Sequence, residues 1–406
     1  MKASSYLRSF RRLTTFVVGA VLAGNVLAQS AVPTPDKPPA PPVMIPSSPN
    51  LAASSWLLVD AGSGRVLAEH NADERLPPAS LTKLMTAYLV ERELNSGNIS
   101  EDDLVPISEK AWRMGGSRMF IEVGTQVPVS ELLQGIVIVS GNDASVAMAE
   151  YLAGGEAPFA DIMNQHADRL GMTNTHFMNA TGMPDSNHYS SARDLANLSR
   201  HIIEDYPEHY QIYAQKEFTF GGIEQSNRNR LLWRDSSVDG LKTGWTDEAG
   251  FCLVASSERE DMRLVSVVMG TSSDAARTQE TQKLLSYGFR YFETVKLEEA
   301  GAPLGTTRVW GGDTNTLSVG INGPVMVTLP RNRSDEVTTT IDIQQDLHAP
   351  IQKGQVVGLM TVTLGDEVVD ERELLALEPI EEGGFFKRLI DSIMRFFSNL
   401  FGGWFD

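Results

Sequence analysis

A single cysteine, Cys252, stands in 406 residues. One thiol excludes an internal disulfide and can add little to a metal-ligand set. It lies in Gly-Phe-Cys-Leu-Val-Ala (250–255), an apolar run that predicts a buried, inert strand position rather than a nucleophile. Histidine is also scarce. The seven residues show no metal-ligand spacing, and neither His-Glu-x-x-His nor Gly-x-Ser-x-Gly occurs. Basic residues fall short of acidic ones, 34 against 52, for a formal net charge of −18. That excess repels phosphates and argues against a nucleic-acid partner. The chain has no internal repeat.

What is present begins with an export signal over residues 1–28. Lys2, Arg8, Arg11 and Arg12 form a basic start, 13–22 a short apolar core, and Val26-Leu27-Ala28 a small-residue cleavage site. The apolar core is too short to span a bilayer. Cleavage after Ala28 would remove four positive charges and take the formal charge from −18 to −22. Residues 29–50 carry eight prolines and too few apolar residues to pack, the composition of an extended, semi-rigid tether. Folded sequence starts near Leu51, with strands expected at 54–60 and 65–68 about a Gly-containing turn.

Residues 77–91 follow. Pro77 and Pro78 suit a helix start, and Leu81, Leu84, Met85, Tyr88 and Leu89 recur as one apolar helical stripe. Ser80 and Lys83 stand three apart and share a face, with Cβ atoms about 5–6 Å apart. A hydroxyl beside an amine at the start of a buried helix is a candidate nucleophile and base. A second polar break, Ser140-Gly141-Asn142, separates two apolar helical stretches and can offer a proton carrier and an amide to one cavity. Ser96-Gly97-Asn98 repeats the triplet. At 1.5 Å rise per residue it lies roughly 20 Å from Ser80 and reads as a helix stop. The third part, Lys242-Thr243-Gly244-Trp245, opens an antiparallel hairpin with 250–256. It is expected on the sheet edge facing the Ser80 helix, with Gly244 leaving room for a substrate backbone.

The order Ser80-x-x-Lys83, Ser140-Gly-Asn142, Lys242-Thr-Gly244 resembles that of the low-molecular-mass penicillin-binding proteins, the serine D-alanyl-D-alanine carboxypeptidases of the type 5 and type 6 group. The likeness runs through about residues 51–401 and includes Tyr189-Ser-Ser-Ala-Arg-Asp194 and Asn227-Arg-Asn229. It implies an α+β fold. A β-lactamase/transpeptidase-like domain, an antiparallel sheet flanked by helices, would span 51–295. A small all-β sandwich would follow at 296–380, and an amphipathic helix at 381–406.

The resemblance also implies roles. Ser80 would form the acyl-enzyme, with Lys83 as base, Asn142 orienting Lys83, and Ser140 relaying a proton to the leaving amine. Lys242 and Thr243 would bind the terminal carboxylate, with Arg277 nearby and Arg228 a weaker candidate. Backbone N–H groups of Ser80 and Trp245 would form the oxyanion hole. Burial and the Lys242 charge are expected to keep Lys83 neutral. Many relatives carry histidine where this chain has Trp245, which bears on substrate preference more than on the backbone donor. The expected substrate is the pentapeptide stem of peptidoglycan, with β-lactams acylating the same serine and no cofactor or metal. Rival readings are a β-lactamase or D,D-endopeptidase on the same fold, or a non-catalytic wall-binding or shape-determining protein. Ser191-x-x-Asp194 reads as a helix capping box, and His176 and His188 as loop residues.

After Val295, short Val/Thr/Gly-rich runs at 306–310, 324–329, 337–343 and 355–363 predict the β-sandwich. Over 384–405, Phe385, Phe386, Leu389, Ile390, Ile393, Met394, Phe396, Phe397, Leu400 and Phe401 cover one face and Lys387, Arg388, Asp391 and Arg395 the other. That pattern suits a helix lying in a membrane interface, detached by Glu-Glu-Gly-Gly (381–384). The chain is expected on the periplasmic face of the bacterial inner membrane.

Overall fold

The computed structural model describes residues 44–401, with side chains as far as Met394. The export signal and tether residues 29–43 lie outside the described residues. Residues 44–50 are coil, and packing begins at Leu51.

Strands β1 (Ser55–Asp60), β2 (Val66–His70), β3 (Val238–Thr246), β4 (Gly250–Arg259) and β5 (Met262–Thr271) form one sheet in the order β2-β1-β5-β4-β3. Every pairing is antiparallel. Alternation explains how the sheet buries both faces. Leu57, Val59, Cys252, Val254, Val265 and Val267 enter the larger core, while Trp56, Leu58, Leu253, Ala255, Leu264 and Val268 enter a second core on the other side.

Helices α1 (Lys83–Asn95), α2 (Val129–Val137), α3 (Asn142–Ala153), α4 (Glu156–Arg169) and α5 (Ala192–Asp205) supply the larger core. Helix α6 (Asp274–Tyr291) covers the second with Leu284, Leu285 and Tyr287. Each fully buried Leu or Val contributes about 1.5–3 kcal/mol by leaving water. α6 begins three residues ahead of the helical stretch read from Arg277. Ser191 caps α5 by accepting from the Asp194 N–H. The Asp194 carboxylate, however, turns to Asn174 and Thr175 instead of completing a capping box.

Past α6 lie β6 (Phe292–Glu298), β7 (Pro303–Trp310), β8 (Thr316–Gly320), β9 (Val325–Pro330), β10 (Val337–Ile343), β11 (Leu347–His348), β12 (Val356–Leu364) and β13 (Glu367–Ala376). β6 and β9 pair with each other, and the rest form a sheet ordered β10-β12-β13-β8-β7-β11. Val325, Val327 and Leu329 pack against Met360, Val362 and Leu374, which makes the module a sandwich. β6 straddles residue 295, where the texture of the sequence changes. A buried polar knot ties the two modules. Asp60 accepts from Thr294 at 2.8 Å and from Ser63, while the Arg65 guanidinium donates to the Thr328 carbonyl at 2.7 Å.

Helix α7 (Phe385–Phe401) ends the described chain. It is not detached. Gly383 N–H donates to the Gly311 carbonyl at 2.8 Å, and a Cβ on Gly383 would lie 2.5 Å from the Gly312 oxygen. Buried Asp391 accepts from the Gly311 N–H at 3.0 Å, and Lys387 donates to the Gly312 carbonyl at 2.5 Å. The polar stripe thus docks on the sandwich. Phe385, Phe386, Leu389, Ile390, Ile393 and Met394 stay exposed.

Candidate active site

The site lies where the start of α1, the α2–α3 break and the sheet edge meet. Ser80 does not sit in the α-helix proper. Residues Ala79–Thr82 form a 3₁₀ turn, and Lys83 is the first α-helical residue. The turn is held close on two sides by glycines. A Cβ at Gly182 would lie 1.8 Å from the Ala79 carbonyl oxygen, and one at Gly244 would lie 2.9 Å from that of Pro78. Gly244 therefore makes room for the chain's own nucleophile turn, a close approach that its place in the hairpin did not announce.

Lys83 Nζ donates to Ser80 Oγ at 3.1 Å, to Asn142 Oδ1 at 2.7 Å and to the Thr181 carbonyl at 2.6 Å. The amine is buried, and burial lowers its pKa to about 7. The Arg228 charge acts in the same direction, with Asp143 opposing it. Arg228 thus joins Lys242, whose charge and that of Lys83 repel each other, in disfavouring the protonated amine. Asn142 is aimed from behind, its Nδ2 donating to the Gly115 carbonyl at 2.7 Å. Ser140, at φ +63°, turns its buried Oγ to the site, where it meets no partner among the described residues.

Edge strand β3 brings Lys242 and Thr243 to the same place, in register with Val254 and Leu253 of β4. Burial and the charges of Lys83, Arg228 and Arg277 all push the Lys242 pKa down. Cations so crowded favour an anionic ligand, which would offset their mutual repulsion. Arg277 Nη1 donates to the Gly244 carbonyl at 3.0 Å. Trp245 is half exposed and lies tilted against Phe251 with ring centroids 5.8 Å apart. Ser80, Ser140, Arg228, Thr243, Gly244, Trp245 and Arg277 line one cavity of about 580 Å³. Lys83, Asn142 and Lys242 are buried and do not line it; Lys83 reaches Ser80, and Asn142 reaches Lys83, by hydrogen bonds.

Several contributors carry no motif letter. Thr181 acts through its backbone oxygen. Asp143 accepts from the Met119 and Phe120 N–H groups at 3.0 and 2.9 Å, which ties the 115–121 loop to α3 beside Asn142. Its signal was adjacency to the Ser-Gly-Asn triplet. Trp233, Arg230 and Asp274 also line the cavity. His188 is buried, its Nδ1 accepting from the Met178 N–H and its Nε2 meeting Thr82 at 2.7 Å. Burial pushes its pKa down to about 4, so it serves as a neutral spacer. Burial pushes the Cys252 thiol up to about 11, in keeping with an inert strand position.

Residues 42–273 match the sequence family described as D-alanyl-D-alanine carboxypeptidase. The chain belongs to that family. Residues 292–382 match the C-terminal domain of penicillin-binding protein 5. The chain is 46% identical to D-alanyl-D-alanine carboxypeptidase DacA of Escherichia coli K12 over 367 residues, covering 88% of this chain and 91% of that one. It is 44% identical to DacC of the same organism, covering 88% and 92%. Penicillin-binding protein 5 from Haemophilus influenzae superposes with a TM-score of 0.77 at 42% identity, over 83% of this chain and 99% of that one. An ampicillin-bound penicillin-binding protein D2 from Listeria monocytogenes superposes at 0.55 and 33% identity, over 59% and 100%. In this carboxypeptidase family member, then, the three motifs and the β domain come together on one fold.

Proposed function

We propose that the protein is a serine D,D-carboxypeptidase that removes the terminal D-alanine from peptidoglycan pentapeptide stems. The observation that carries this reading is the three-way hold on Lys83. Its amine is desolvated, aimed by Asn142 and Thr181, and in contact with the Ser80 hydroxyl.

In the neutral state Lys83 accepts the Ser80 proton as Oγ attacks the carbonyl of the penultimate D-alanine. The Ser80 and Trp245 N–H groups take the developing oxyanion. Collapse expels D-alanine, whose amine receives a proton by way of the unpartnered Ser140 hydroxyl. Water then hydrolyses the Ser80 ester. Lys242, Thr243 and Arg277 hold the departing residue's carboxylate. β-Lactams enter by the same acylation and remain as the ester.

The exposed apolar face of α7 supports a peripheral anchor. No helix among the described residues is long and apolar enough to cross a membrane. Six large apolar side chains on one side of an end helix suit burial at the lipid interface. Together with the signal expected at 1–28, this supports a site of action on the periplasmic face of the inner membrane.

The test compares wild type with Ser80→Ala, using penicillin and a D-Ala-D-Ala-terminated peptide. A penicillin mass adduct and free D-alanine, both lost in the variant, are expected. Rapid penicillin turnover without peptide cleavage would make the protein a β-lactamase. A folded protein giving neither adduct nor release would be a non-catalytic wall-binding protein.

A further inference from the structure

Arg277 is held by a carboxylate that no motif marks. Ser273 caps α6, its Oγ accepting from the Ala276 N–H at 3.1 Å, which makes Asp274 the first helical residue. Arg277 follows three residues later on the same helix face. Its Nη2 donates to Asp274 Oδ1 at 2.5 Å, beside the Nη1 bond to the Gly244 carbonyl. The side chain is only 7% exposed. The other carboxylate oxygen, Oδ2, is buried and accepts no hydrogen bond. It instead forms an ion pair with Nε of Arg230 at 2.6 Å.

Arg230 belongs to a separate segment. That segment is pinned to β3 by Asn229 Nδ2, which donates to the Gly240 carbonyl at 2.8 Å. One carboxylate therefore joins two cations from different parts of the chain. All three residues line the cavity.

We propose that Asp274 is a positioning residue for the substrate's terminal carboxylate, fixing Arg277 against the Lys-Thr-Gly strand and drawing Arg230 to the same end of the cavity. This rests on the reading that Arg277 meets that carboxylate. Two opposing effects follow from the acid. It withdraws positive charge from the site, and it removes the rotational freedom of a long side chain before the ligand arrives. Charge alone is partly screened in an open cleft. A guanidinium turned away forfeits a charge-assisted hydrogen bond outright. Positioning is therefore the larger effect, and removal of the acid should weaken binding.

Two peptides decide it, one ending in a free D-Ala-D-Ala carboxylate and one with that carboxylate amidated. Steady-state kinetics on the full chain in detergent would compare wild type, Asp274→Ala, Asp274→Asn, Arg230→Ala and Arg277→Gln. For Asp274→Ala, KM for the free acid is expected to rise roughly tenfold with kcat within about twofold. The amidated peptide should be unaffected, so the preference for the free acid narrows by the same factor. Asp274→Asn keeps an acceptor and should recover part of the loss, and Arg230→Ala should lose roughly threefold. Equal losses on both peptides would mean a structural role and overturn the proposal. So would an unchanged or lower KM in Asp274→Ala. If Arg277→Gln leaves the preference intact, the carboxylate reading of Arg277 falls, and this inference with it. If Arg277→Gln abolishes the preference while Asp274→Ala does not, only the positioning role is lost.

Discussion

Lys83 Nζ stands 3.1 Å from Ser80 Oγ, one 3₁₀ turn further along the chain, on a buried side chain. A base so placed is useful only when neutral, and burial has brought its pKa to about 7. Penicillin acylation should therefore rise about tenfold per pH unit below about pH 7 and level off above it. Arg228→Gln removes a charge that favours the neutral amine, so its midpoint should move to higher pH. Stopped-flow acylation across the range checks both; a flat wild-type profile would remove Lys83 as the base.

Glu91 lies further along α1, buried, with Tyr213 donating to Oε1 at 3.0 Å and nothing on Oε2. Burial pushes its pKa up to about 8. An unfolded glutamate titrates near about 4.3. Between those values the native state binds the extra proton, so stability falls as pH rises from about 4.3 to 8. Glu91→Gln should leave the melting temperature nearly unchanged at low pH and raise it at about pH 8, by on the order of 1–3 kcal/mol of stability. Thermal melts at the two pH values would test this, and an equal shift at both would refute it.

Asp60 is fully buried between the two modules and accepts from Thr294, Ser63 N–H and Ser63 Oγ. Asp60→Ala leaves these donors without their acceptor. A loss of about 1–3 kcal/mol in chemical denaturation is expected, with D-alanine release by the folded fraction retained. Undiminished stability would show that the knot is dispensable.

A chain ending at Gly384 keeps the Gly383–Gly311 bond and loses α7. It should leave vesicles of anionic phospholipid, yet release D-alanine at the full-length rate. Ile390→Glu, on the exposed face, should weaken vesicle sedimentation while leaving the Asp391 docking contact in place. Sedimentation equal to that of the full chain in both cases would assign the apolar face to something other than lipid.

The parts legible in sequence share a property: their geometry is local. Ser80 and Lys83 are three residues apart, Ser140 and Asn142 two, and Lys242 to Trp245 adjacent. Periodicity therefore put Lys83 on its helix and Lys242 and Thr243 on their strand, though it did not show that Ser80 lies in the 3₁₀ turn ahead of the helix. Cys252 was legible as inert because strand alternation puts it on a core face. The same period separates Leu57 from Leu58. What failed depended on contacts across the chain. Gly244 read only as space for a ligand, and its close approach to Pro78, 166 positions earlier, had no local signal. Residues 381–384 read as a detaching hinge and proved to be stitched to Gly311 and Gly312.

By itself, the sequence determined which chemistry the protein carries and in what order its parts occur, because nucleophile, base and carboxylate binders are side chains with letters. It also determined that the final helix has one apolar face, since 3.6-residue periodicity needs no partner. Tertiary structure alone decided that Arg228, as well as Lys242, helps keep Lys83 neutral. It brought the Thr181 carbonyl, a backbone atom no letter reveals, to the same amine. It set Asp274 between Arg230 and Arg277, and it turned the polar stripe of α7 onto the sandwich. Each of these depends on distances between residues remote in the chain, which are set only when the sheet and helices close around both cores.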